Sequence, residues 1–136
     1  MSTVIRPEVS EKSRWYISKH RYYELRHFCL QYPEWQEECN RIDDYILRSY
    51  VPRSFDHSLG DPTAYFAMRR AELTKKMQLV KEIAMKTDPD LWTYIFDAVT
   101  KEHSFVYLRY TLDMPAEKKM YFDRYRKFFW LLSKVR

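Results

Sequence analysis

His20, Glu24 and His27 recur at i, i+4 and i+7, a spacing that puts all three on one face of a helix. Imidazole and carboxylate groups so arranged can ligate Zn²⁺ or a similar ion. A zincin needs two histidines four apart with a glutamate between them, and this stretch departs from that pattern. A solvated polar face accounts for the same residues more simply, so neither a metal nor any other cofactor is assigned. Asp43, Asp44, Asp61 and Glu72 are carboxylates of the kind a nuclease uses, but nothing in their spacing groups them. With a single glycine, Gly60, there is no material for a phosphate-cradling loop. No nucleophile elbow and no spaced Cys/His quartet occurs. The expectation is that the chain is not an enzyme.

The remaining chemistry is cationic and lies at the C-terminus. Residues 117–136 read EKKMYFDRYRKFFWLLSKVR, with seven basic and two acidic side chains. Their balance of +5 equals that of the whole chain, so the first 116 residues are neutral in sum. On a helix, Tyr121, Tyr125, Phe128, Phe129 and Leu132 form one apolar stripe. Lys119, Asp123, Arg126, Lys127, Trp130 and Lys134 fall on the other side, a face suited to a groove lined with phosphates. Within it Arg126 is the candidate base reader, because its planar fork matches guanine O6 and N7. Lys118, Lys119, Lys127 and Lys134 are candidate phosphate contacts. Asp123 either accepts from a cytosine N4–H or orients Arg126 or Lys127, and Trp130 is expected to be exposed. An ordinary terminal helix with a solvated basic face is the plainer alternative.

The elements that must position this face are helical throughout. Periodicities of 3 and 4, and prolines where helices should begin, predict an all-α fold without a sheet. Six helices are expected, at about 19–31, 34–47, 62–87, 90–102, 105–112 and 117–133. The first two, joined almost directly at Pro33, should make an N-terminal helical hairpin or a sharp corner. One long central helix follows, and the last three helices have the order of a C-terminal helix-turn-helix. Its turn lacks the usual glycine, so Asp113-Met114-Pro115 must make it. The expected division is a flexible lead-in (1–14), an N-terminal helical region (15–87) and a helix-turn-helix DNA-binding region (88–136). Trp35, Trp92, Phe96, Leu108, Tyr125, Phe128, Phe129 and Leu132 are the expected core.

Arg48 to Gly60, RSYVPRSFDHSLG, reads as a loop and candidate hinge. Along 62–87, Phe66, Arg70, Leu73, Met77, Val80 and Ala84 form a heptad-like seam. Two partners fit it: the N-terminal hairpin of the same molecule, or a second copy in a homodimer. The shortness of the seam favours the first. Cys29 and Cys39 lie on apolar stripes and read as buried, reduced thiols. With no apolar run long enough for a membrane span and no signal-peptide core, a cytoplasmic, membrane-free setting is expected.

The Pro33-Glu34-Trp35 corner after YYELRHFCLQY, the DPTAYFAMRRAEL helix start and the terminal YFDRYRKFFWLL together resemble a group of small phage-encoded proteins of Firmicutes. These are the sigma-factor-region-4-like late transcriptional regulators of the RinA and ArpU kind. The resemblance covers nearly all the chain from about Trp15. It implies binding of double-stranded DNA by the C-terminal helix-turn-helix, with Tyr121, Phe122, Arg124, Arg126 and Lys127 at the matching positions. Where that pattern has a small polar residue opening the last helix, this chain has Ala116-Glu117. The expected function is a phage-type DNA-binding regulator. The alternative is a small helical interaction module, an adaptor or inhibitor docking on a host RNA polymerase or nuclease. Tyrosines beside basic residues, notably Tyr23 and Tyr110, admit single-strand stacking as a lesser reading.

Overall fold

A computed structural model describes residues 13–48 and 61–136. Most of the expected lead-in and the expected hinge loop, His57 included, lie outside the described residues. The described chain is all-helical: α1 (Lys19–Leu30), α2 (Tyr32–Arg48), α3 (Pro62–Thr87), α4 (Trp92–Lys101), α5 (Phe105–Tyr110) and α6 (Lys118–Val135).

Local chemistry sets the helix starts. Ser18 caps α1 by accepting from the Arg21 amide, Asp61 caps α3 through Thr63, and Ser104 caps α5 through Tyr107. Each satisfies a donor that the first turn leaves without a partner. Pro33 and Pro62 sit in first turns, where a missing N–H costs nothing. The α5 exit solves the missing-glycine problem with Asp113, which takes a left-handed φ of 55°. Aspartate tolerates that region better than most side chains. The Met114 amide then donates to the Leu108 carbonyl at 3.0 Å, and Arg109 Nη1 donates to the Met114 carbonyl at 2.7 Å.

Of the hairpin and the corner expected for the first two helices, the structure has the corner. Only Gln31 separates α1 from α2, which leaves no slack for antiparallel packing, and the two meet at a corner. The antiparallel partner of α2 is α3. Two Arg–carboxylate pairs fasten them: Arg69 Nε to Glu38 Oε1 at 2.9 Å, and Arg70 Nε to Asp43 Oδ1 at 2.5 Å. The α3 seam is satisfied within the chain, with Leu73, Val80 and Ala84 fully buried.

One core runs through all of this, and α6 belongs to it. Tyr121, Phe128, Phe129 and Leu132 are buried together with Tyr22, Leu25 and Cys29 of α1, Val80 and Ile83 of α3, and Ile95 of α4. Residues 15–87 and 88–136 thus share a single interior. Trp35 and Leu108 are buried as expected, whereas Trp92, Phe96 and Tyr125 are half-buried at its margin. Cys29 and Cys39 are free and buried, and burial pushes the Cys29 thiol well above its ordinary range. Among the described residues, no helix is long and apolar enough to cross a membrane.

Candidate nucleic-acid interface

The outer face of α6 follows from its inner one. Aromatic residues at 3–4 spacing hold it against α1 and α3: Tyr22 and Phe129 are 5.0 Å apart edge-to-face, and the Tyr22 and Tyr125 hydroxyls are 2.7 Å apart. Burial first, then the neighbouring phenols, raise the Tyr125 pKa well above the usual value, so both partners stay neutral. With this stripe fixed, Lys119, Asp123, Arg126, Lys127, Trp130 and Lys134 necessarily share the opposite side.

A second anchor fixes the helix from its flank. Asp88, in the α3–α4 link, is 9% exposed at its side chain and accepts from Arg124 Nε at 3.0 Å. Its other oxygen accepts from the Asp90 and Leu91 amides at 2.8 and 3.1 Å, bracing the turn that leads into α4. Burial alone would raise this carboxyl's pKa, but the Asp90 amide, the Arg124 guanidinium and the Leu91 amide together hold it below the ordinary value.

The outer face is not bare. Trp15 lies across it, donating from Nε1 to Asp123 Oδ1 at 3.2 Å, with its ring 5.1 Å from that of Trp130. Arg14 and Lys127 sit over the Trp15 ring at 4.5 and 5.6 Å, and Lys134 over Trp130 at 4.8 Å. Trp130, expected to be exposed, is therefore half-buried. Asp123 has both oxygens engaged inside the chain, the second by Arg124 Nη1 at 2.6 Å. Those bonds hold it toward Trp15 and Arg124.

The cations divide cleanly. Of the seven basic residues from Lys118 to Arg136, Arg124 alone forms an ion pair with a described acid. Lys118, Lys119 and Lys134 are exposed, and Arg126 and Lys127 are half-buried. The link from α5 to α6 runs seven residues, 111–117, longer than the 3–4-residue turn of a compact helix-turn-helix. Packed chiefly on α3 and α1, α6 leaves its first turn near the short α5.

Residues that sequence reasoning passed over also gather near that first turn. A cleft of about 180 Å³ opens between α1, the α4–α5 junction and the start of α6, lined by Arg26, Glu102, His103, Lys118 and aromatic side chains. Glu102 there has φ 62° and ψ 28°, a left-handed backbone that costs a non-glycine residue about 1–3 kcal/mol. His20, Glu24 and His27 are all exposed on α1, with Glu24 paired to Arg21. Among the described residues, no three His, Cys, Asp or Glu side chains gather closely enough to hold a metal ion. No protein-family model matches the chain, and neither a curated protein nor a solved structure does.

Proposed function

We propose that this chain binds double-stranded DNA through the outer face of α6, as a transcriptional regulator of the phage type. The observation that carries the proposal is the set of cations on that helix without an acid among the described residues. Such side chains keep their counterions in water, and releasing those counterions onto phosphates drives association. Trp15 adds to the set by holding Arg14 beside Lys127. In this proposal α4, α5 and α6 serve as a helix-turn-helix with an extended turn. Lys118, Lys119, Lys127 and Lys134 hold phosphates, and Arg126 reaches a guanine edge. Asp123 and Trp130 position the face, since their own partner is Trp15.

Fluorescence anisotropy with a labelled random duplex tests it. The combined variant Lys119→Gln, Arg126→Gln, Lys134→Gln should lose most affinity, and its salt slope should flatten by about 0.9 for each phosphate no longer neutralised. Undiminished binding would remove α6 from the interface. A second reading, docking on a host polymerase or nuclease, draws on the exposed apolar side chains of α5 and the start of α6. Val106, Tyr107, Tyr110 and Met120 are 62%, 40%, 76% and 43% exposed. An interface built on them would survive high salt, which phosphate contacts do not.

A further inference from the structure

We propose that the cleft between α1, the α4–α5 junction and the first turn of α6 is a binding site for a small planar aromatic carboxylate. This goes beyond DNA binding and does not depend on it.

Size, wall chemistry and charge point the same way. The cleft measures about 180 Å³, close to the roughly 150 Å³ in which an apolar cavity takes up benzene. Its walls are rings: Phe105 stands 5.5 Å from Tyr121, and Tyr121 stands 4.8 Å from Phe122 at near-perpendicular tilt. Such an arrangement receives another flat ring edge-on or offset. Burial raises the Tyr121 pKa, so its phenol brings no negative charge. Two cations, Arg26 and Lys118, and one carboxylate, Glu102, line the cleft, leaving it one charge positive. Arg26 donates from Nη2 to Glu102 Oε1 at 2.5 Å and has further N–H groups to offer an incoming carboxylate. Lys118 is exposed and forms no ion pair with a described residue.

His103 closes one wall of the cleft beside Glu102, its ring packed 4.3 Å from that of Tyr107.

The probe is 4-hydroxybenzoate, titrated into the ¹⁵N-labelled chain and followed by amide chemical shifts. Saturable binding with a Kd of about 1 mM or tighter is expected, with the largest shifts at His103, Lys118 and Phe122. Lys118→Glu, a change at an exposed side chain, should weaken binding about tenfold, as should replacing the probe by neutral benzyl alcohol. Three results would each overturn the assignment: no saturation, shifts centred on Arg126 and Trp130, or equal affinity for the acid and the alcohol. An unchanged Kd in the Lys118→Glu variant would overturn it as well.

Discussion

Trp15→Ala should strip from α6 the contacts the indole makes there, and the cost can be assembled from them. The indole N–H bonds a carboxylate at 3.2 Å, and bonds to charged groups contribute about 1.5–3 kcal/mol. Asp123 is 35% exposed at its side chain, which argues for the lower end. The Trp15–Trp130 pair adds about 0.5–1.5 kcal/mol, and Lys127, near the limit of cation–π reach, adds about 0.5. Against these stands the side-chain freedom the indole would regain, about 1–1.5 kcal/mol. The net loss of stability should be about 1–2 kcal/mol by urea unfolding. Trp15→Phe keeps a ring and removes the N–H, so it should cost about half as much. A cycle pairing Trp15→Phe with Asp123→Ala isolates the bond, with an expected coupling near 1 kcal/mol. A loss below about 0.5 kcal/mol with no coupling would mean that the indole does not rest on α6 in solution.

Phe128 is fully buried, and Phe128→Ala should cost about 3–5 kcal/mol; a loss under about 1 kcal/mol would mean that the inner and outer faces of α6 are reversed. Asp88→Ala removes both the brace of the turn before α4 and the partner of Arg124, for about 2–4 kcal/mol in the same unfolding assay. The folded pKa of Asp88 lies below its unfolded value, so its stabilisation is complete above about pH 3.9 and drains as pH falls through the lower folded value. Acid unfolding of Asp88→Asn should therefore show a shallower pH dependence below pH 4 than the wild type; identical slopes would contradict the pairing. Arg126→Ala should relax discrimination between duplex sequences by about 1–3 kcal/mol, while Lys127→Ala weakens all duplexes alike. Parallel titrations on several duplexes separate the two outcomes.

Much of the fold was legible because its punctuation is local. Prolines and capping serines mark the starts of α2, α3 and α5, and 3–4 spacing shows which side of α6 is apolar. What each helix packs against was legible only in part: the 62–87 seam was expected on the N-terminal helices and does pack on α2, but the other pairings were not readable. Of the expected hairpin or corner, α1 and α2 make the corner because Gln31 alone joins them, and α2 is fastened to α3 where Glu38 and Asp43 meet Arg69 and Arg70, a match between distant segments. Trp15 illustrates the same limit. Its hydrogen-bond partner lies 108 residues away, and a lone tryptophan beside a polar stretch carries no periodic signal. His103 and Glu102 stood out neither by spacing nor by type. They line the cleft only because packing brings α1, the α4–α5 junction and the start of α6 together. The basic face itself was readable, because charge and helical period suffice to define it.

The salt dependence of binding to a random duplex tests the central claim most directly. If α6 and Arg14 together neutralise about five phosphates, the slope of log K against log salt should be about −4.5, so affinity falls about 500-fold between 50 and 200 mM salt. A slope near zero, or no binding at 50 mM salt, would contradict the claim.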